Sequence, residues 1–281
     1  MSIRGRRLIT GATSVAAVVG DPVEHSLSPV IHNASFASAG MDWAYVALPL
    51  EGADAYDAAE ALRAAWSLGL RGLSVTMPHK GAAMAAAAER SKLVDEIGAA
   101  NTLVRTGAGW RAENTDVGGF RAFIERDLGI GLGGSRCAVL GAGGAAAAVA
   151  VALRDGGAGE VLVWNRTPAR AERIVLLAGS VGRAVGGLGD LGGCDLVVGC
   201  LPAAVLGPQA YAAIPFASGS TVVDLAYAPP HTSLMQAAEA SGASAHNGLG
   251  LLVNQAALQF ELWTGRPAPL DVMSAAALSA V

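Results

Sequence analysis

The apolar positions of this chain fall into short blocks of two different periods, and the two kinds of block alternate. Val15-Ala16-Ala17-Val18-Val19 is an unbroken apolar run closed by Asp21-Pro22, as a strand covered on both faces would be. Residues 29–40 follow as a helix, opened by Pro29 and ended by Gly40. The same reading predicts strands over 43–48 and 70–75 and helices over 53–68 and 81–90. Residues 101–104 and 109–112 read as a hairpin around Gly107-Ala108-Gly109, and 120–128 as a helix. The stretch Gly129-Ile130-Gly131-Leu132-Gly133-Gly134 reads as a hinge candidate. Beyond it a second series begins, with strands over 137–140, 161–164, 196–199 and 221–225 and helices over 145–155 and 168–178. Strands alternating with helices predict parallel sheets and an α/β class.

Composition narrows this picture. A chain of 281 residues has room for about two domains. Apolar residues make up 52% and charged ones 15%, enough to fill substantial cores, and abundant Ala and Gly predict close helix–sheet packing. A net charge of −4 without a long basic stretch argues against a nucleic-acid partner. Cys137, Cys194 and Cys200 are odd in number and contain no Cys-x-x-Cys, so they read as free thiols in a reducing cytosol. Arg4-Gly5-Arg6-Arg7 ahead of the first apolar run imitates an export signal, but that run is too short. Residues 137–153 carry no charge, yet glycines interrupt them and they fall below the roughly 20 residues a spanning helix needs. The expected localisation is cytoplasmic, with no membrane partner.

Only Lys80 and Lys92 are lysines; the other seventeen cationic residues are arginines. An ammonium group can lose its proton in suitable surroundings and a guanidinium cannot. A lysine retained at the end of Ser74-Val75-Thr76-Met77-Pro78-His79-Lys80, just past a predicted strand, is therefore a candidate for proton transfer. A solvated lysine is the alternative, and it is the reading adopted for Lys92 in Glu89-Arg90-Ser91-Lys92.

Ala138-Val139-Leu140-Gly141-Ala142-Gly143-Gly144-Ala145-Ala146 is a strand, then G-x-G-x-x-A, then a helix. Gly141 permits the tight turn, Gly143 lets backbone approach a pyrophosphate, and Ala146 lets helix and sheet pack closely. The helix N-terminus offers N–H groups to phosphates. A plain glycine-rich turn is the alternative. The next strand ends in Asn165-Arg166-Thr167, where an NAD site usually carries an acid for the ribose 2′-hydroxyl. Here there is no acid, and Arg170 follows one helical turn after Arg166. Arg and Thr suit a 2′-phosphate, so NADP is the expected cofactor. Arg173 reads as a solvated helix face.

Gly20-Asp21-Pro22-Val23-Glu24-His25-Ser26-Leu27-Ser28-Pro29 leads from the first strand into a helix. Its paired hydroxyls, Ser26 and Ser28, could bind a carboxylate, or Ser28 could simply cap the helix. His25 and His79 read as structural or hydrogen-bonding groups. Asp116 opens a helix and could be its cap or a partner for a lysine. No metal site is evident.

In order along the chain, these pieces resemble the shikimate dehydrogenase family. Gly20 to Pro29 matches its G-x-P-x-x-H-S-x-S-P element and Val75 to Lys80 its V-T-x-P-x-K. Gly98-Ala99-Ala100-Asn101-Thr102 and Asn114-Thr115-Asp116 match its A-x-N-T and N-T-D. Asp224-Leu225-Ala226-Tyr227-Ala228-Pro229, with Thr232 and Leu234, and Gly248 to Gln255 match its later elements. The resemblance implies that Ser26 and Ser28 bind the substrate carboxylate, with Tyr227 nearby. It implies that Thr76, Asn101, Asp116 and Gln255 bind ring hydroxyls and that Lys80 and Asp116 are the catalytic pair. Gly141, Ala142, Gly143, Gly144, Ala145, Asn165, Arg166, Thr167, Arg170, Leu225 and Gly248 would hold NADP.

The expected architecture is an α/β substrate-binding and catalytic domain with a mainly parallel sheet over 1–115. A Rossmann-type NADP domain follows over 116–249, and helices over 250–281 return to the first. The expected reaction interconverts shikimate and 3-dehydroshikimate, in chorismate biosynthesis, by a monomer or homodimer. A quinate or aminoshikimate-type dehydrogenase and a catalytically silent shikimate-binding relative are the rivals. Two departures stand out: Ser74 occupies a place where the family usually has Asn, and Gly199-Cys200-Leu201-Pro202 replaces Asn-Ala-Thr-Pro. Leu251 stands where Met is common, a volume-conserving change.

Overall fold

A computed structural model describes residues 2–3, 6–202 and 205–281. Arg4 and Gly5 of the basic amino-terminal stretch lie outside the described residues. The chain divides into two units, Met1–Thr115 with Gln255–Ala280, and Asp116–Asn254 with Val281.

In unit 1 the first apolar run forms β1 (Ser14–Gly20), followed by α1 (Ser28–Ser38) and β2 (Trp43–Pro49). Next come α2 (Ala55–Ser67), β3 (Gly72–Val75), α3 (Lys80–Ala86) and β4 (Glu89–Arg90). Helix α4 (Lys92–Ile97) and the hairpin β5 (Thr102–Arg105) and β6 (Trp110–Glu113) complete this part. The strand order is β2-β1-β3-β5-β6-β4. Strand β1 lies parallel to both neighbours, whereas β5 is antiparallel to β3 and to β6. Ala17, Leu62, Leu73, Leu103 and Trp110 fill the core under α2, and the Trp110 indole donates to Leu62 O at 2.6 Å.

The helix expected over 81–90 stops at Ala86. Ala87 turns extended, Ala88 N donates to Trp110 O (2.9 Å), and Glu89–Arg90 pairs in parallel with β6. Sheet bonds outweigh alanine's helical preference here. Ser91 then caps α4 by accepting from Val94 N at 3.4 Å, and Gly98 ends it at φ 71°.

Unit 2 opens with α5 (Asp116–Arg121), which runs into a π-helical turn over Ala122–Asp127. It continues with β7 (Arg136–Leu140), α6 (Gly144–Asp155), β8 (Glu160–Trp164), α7 (Pro168–Ala178) and β9 (Gly182–Ala184). Then come β10 (Leu196–Gly199), α8 (Pro208–Tyr211), β11 (Thr221–Asp224), α9 (Ser233–Ala240) and β12 (Ser244–Asn247). All pairs are parallel, in the order β9-β8-β7-β10-β11-β12. The order reverses beside β7, the switch point at which such sheets bind ligands. The glycine-rich stretch 129–134 is not a hinge. The division falls at Thr115 and Asp116, and the stretch runs along the surface of unit 2, anchored by the buried Leu132 and by Gly134 N donating to Gly157 O at 2.8 Å.

Two helices end the chain, α10 (Leu249–Thr264) and α11 (Leu270–Leu278). Helix α10 belongs to unit 2 up to Asn254 and to unit 1 from Gln255 onward. Gln255, Gln259 and Trp263 recur at four-residue spacing on one face of it. Among the described residues no helix is long and apolar enough to cross a membrane.

Candidate active site

The unit 1 candidates gather because of strand direction. Strands β1 and β3 run parallel, so their carboxyl ends share one edge, and Thr76 N donates to Val19 O there at 2.9 Å. Antiparallel β5 begins where β3 ends, so Val75 N reaches Asn101 O at 2.7 Å. Ala100 N donates to Lys80 O at 3.0 Å, which brings the start of α3 beside the same edge. Thr76, Lys80 and Asn101 are thus held on adjoining chain segments, Lys80 half-buried and Asn101 buried. His79 is buried and its ring bonds Leu50 O at 3.1 Å, tying the end of β2 to the start of α3; His25 is exposed.

Asn101 sits in a dense polar knot. Its Oδ1 accepts from Thr102 Oγ1 (2.9 Å) and Thr115 N (2.8 Å), and its Nδ2 donates to Thr115 Oγ1 (3.0 Å). Asn114 Nδ2 donates to Ala99 O at 3.0 Å. In the loop after β1, Ser26 Oγ accepts from Ser28 N at 3.3 Å, so Ser26, not Ser28, makes the local turn bond. Ser28 is buried beside the Tyr45 hydroxyl. Gln255 is buried on α10.

Sequence reasoning missed three residues behind this edge. Tyr45 donates to Ser74 Oγ (2.6 Å), and burial holds its phenol well above the usual range, so it stays a neutral hydroxyl. Gln259 accepts from Ser74 Oγ at 2.7 Å. His32 is fully buried and stacks on Tyr45 with ring centroids 4.4 Å apart. Neither of its ring nitrogens makes a well-formed hydrogen bond among the described residues, and burial, only partly offset by Gln259, lowers its pKa to about 3. Polar side chains inside apolar stretches were the available signal, but nothing in the sequence alone tells which face they turn to.

The remaining candidates belong to unit 2. Asp116 is the first residue of α5, and Tyr227 lies in the loop after β11. That loop is anchored by the buried Asp224, which accepts from Thr232 Oγ1 (2.7 Å) and Ala226 N (3.2 Å); burial raises its pKa. Gly248 lies so close to Leu225 that a Cβ would collide with the Leu225 carbonyl.

The nucleotide loop follows the switch-point strand. Gly141 has φ 120°, and a Cβ there would meet Cys200 O and Leu201 Cδ2 at 3.2 Å. Space around Gly143 is open, and among the described residues no side-chain cap bond is made at the start of α6, the kind of helix N-terminus that suits a phosphate. Ala142 is half-buried, and Ala146 is fully buried against the sheet. At the end of β8, Asn165 Nδ2 donates to Thr167 O (2.9 Å), while Arg166, Thr167 and Arg170 are exposed. This cradle and its adjacent cations fit a phosphorylated dinucleotide. Cys200 is half-exposed as a residue, but burial of its thiol, and then the Asp224 carboxylate, push its pKa far up.

The strand order and the open glycine turn define an α/β protein of the dinucleotide-binding class. Residues 18–103 match the family described as "Shikimate dehydrogenase substrate binding domain", and residues 248–278 match "Shikimate 5'-dehydrogenase C-terminal domain". A shikimate dehydrogenase (NADP(+)) of Methanopyrus kandleri is 39% identical over 96% of this chain and 97% of its own length. One from Halobacterium salinarum is 41% identical over 93% of this chain and 97% of its own. The Thermus thermophilus shikimate 5-dehydrogenase, solved with NADP(H) and shikimate, superposes with a TM-score of 0.84 at 35% identity, covering 96% of this chain and all of that one (100%). The chain belongs to the shikimate dehydrogenase family.

Proposed function

We propose that this protein interconverts shikimate and 3-dehydroshikimate with NADP, as a cytoplasmic enzyme of chorismate biosynthesis. The observation that carries the reading is the fixed adjacency of Thr76, Lys80 and Asn101 on one sheet edge of unit 1. It puts a lysine on chain segments adjoining those of Thr76 and Asn101, residues whose side chains hydrogen-bond hydroxyls. Unit 1 is read as the substrate domain and unit 2 as the NADP domain.

Oxidation of the ring alcohol removes two electrons and two hydrogens. The hydride acceptor for the carbinol carbon would be supplied by bound NADP. Lys80 and Asp116 are assigned to take the hydroxyl proton in that direction and return it in reduction. Ser26 and Ser28 bind the carboxylate, with Tyr227, while Thr76, Asn101, Asp116 and Gln255 bind ring hydroxyls. The α6 N-terminus takes the pyrophosphate through Gly141 to Ala145. Asn165, Arg166, Thr167 and Arg170 would hold the 2′-phosphate, and Leu225 and Gly248 are further positions that would bind the cofactor.

The test is NADP reduction by the purified protein, followed by absorbance, with shikimate and then with quinate. Turnover of shikimate well above quinate supports the reading. Faster turnover of quinate transfers it to a quinate-type enzyme, and binding without turnover of either makes the chain a silent relative.

A further inference from the structure

Ser74 holds a place where the family usually has Asn, and its hydroxyl is too short to replace an amide. A buried amide from a carboxyl-terminal helix meets it instead. Gln259 reaches in from α10, only 1% exposed, and lies between Ser74 and Thr102, which are cross-strand partners on β3 and β5. Its Oε1 accepts from Ser74 Oγ at 2.7 Å, and its Nε2 donates to Thr102 Oγ1 at 3.0 Å.

Donor and acceptor accounting gives this contact a direction. Tyr45 donates to Ser74, so Ser74 is left to donate onward to Gln259 Oε1. Thr102 spends its one proton on Asn101 Oδ1 (2.9 Å), so it can only accept from Gln259 Nε2. The result is one buried run of bonds, Tyr45 to Ser74 to Gln259 to Thr102 to Asn101. Ser28 stands beside the Tyr45 hydroxyl at its start. The stack of His32 on Tyr45, and the bonds of the Asn33 side chain to the Tyr45 backbone, keep the first member still.

We propose that Gln259 is a positioning residue for the substrate site, setting the side chains of Asn101 and, through Ser74 and Tyr45, of Ser28. It touches neither substrate nor cofactor in this role. The inference rests on the reading above that Ser28 and Asn101 bind the substrate. Removing the amide strands two buried hydroxyls at the centre of the run, and a network of this kind loosens at both ends when its middle is lost. The nucleotide cradle lies in unit 2, so cofactor binding is spared.

The experiment is steady-state kinetics on the full-length protein, with KM for shikimate and KM for NADP read separately. Gln259→Ala should raise KM for shikimate about tenfold and leave KM for NADP within about twofold. Gln259→Glu keeps the acceptor for Ser74 but loses the donor to Thr102, so it should raise the same constant less. Adding Ser74→Asn to Gln259→Ala should recover part of the loss by returning an amide to the strand end. If Gln259→Ala does not fold, Gln259→Glu and Ser74→Ala are read in the same way. An unchanged KM for shikimate, or an equal rise in both constants, overturns the inference. Ser28→Ala and Asn101→Ala separate the two failures. If they raise KM for shikimate while Gln259→Ala does not, only the positioning role falls. If they too leave it unchanged, the substrate reading falls and the inference with it.

Discussion

Asn33 brackets Tyr45 by both of its backbone groups: its Nδ2 donates to Tyr45 O at 2.8 Å and its Oδ1 accepts from Tyr45 N at 2.9 Å. Among the described residues strand β2 is an edge strand, paired only with β1, so these groups would otherwise be open to another chain. One amide therefore fixes a site-supporting tyrosine and blunts a sheet edge. Asn33→Ala should lower stability by about 2 kcal/mol. It should also raise light scattering on mild heating, since Val46 and Leu48 are exposed on this strand. A urea midpoint and scattering curve matching the parent would show the bracket to be dispensable.

Proton transfer is assigned to Lys80, and the chain supplies its own control. Lys80→Ala should lower kcat by about 10²- to 10⁴-fold with a modest change in KM. Lys92→Ala, at the start of α4, should be nearly silent. Near-normal turnover with weakened binding in Lys80→Ala would make Lys80 a positioning group instead.

Cofactor choice is assigned to the exposed cations after β8. Arg166→Ala should raise KM for NADP much more than KM for NAD, because only NADP carries the 2′-phosphate. Equal losses would separate Arg166 from phosphate recognition.

His32 makes the fold sensitive to acid. Its ordinary pKa is 6.5, and burial lowers it to about 3. Between these values the unfolded chain takes up a proton that the native ring refuses. Stability is therefore intact above about pH 6.5 and falls as pH drops towards 3, by up to about 1.4 kcal/mol per pH unit. His32→Phe keeps an aromatic ring in the stack and removes the proton. Its urea midpoint should change less than the parent's between about pH 7 and about pH 4.5. Parallel changes in the two proteins would place the acid sensitivity elsewhere.

The buried strands and the helices between them were legible because their signal is local. The apolar runs at 15–19 and 196–199 appear as β1 and β10, and the helix expected over 168–178 is α7. What was not legible is polar and long-range. Ser244–Asn247 contains one apolar residue among four, and becomes a strand only because β11 offers it an edge. Lys92 reads as a solvated lysine in a charged segment, and the short helix that it opens, Lys92–Ile97, carries the Ser91 cap that marks its start. The glycine-rich stretch 129–134 looks flexible because composition does not reveal that Leu132 is buried. The motif residues were visible as motifs, but the relay behind them was not. Ser74 and Gln259 are 185 positions apart, and nothing local connects them.

The division of α10 between the two units has a consequence for the order in which the molecule can be made. Trp263 donates to Leu103 O at 3.1 Å, and its ring lies so close to Gly72 that a Cβ there would collide with it. Gln259 bonds Ser74 and Thr102 from the same helix face. The first unit to leave the ribosome therefore lacks its last wall until the whole of the second has been translated. Unit 2 can settle early on its own parallel sheet, while the sheet bearing Lys80 waits with Gly72 and Ser74 uncovered. The unit begun first is therefore the one whose chain is completed last.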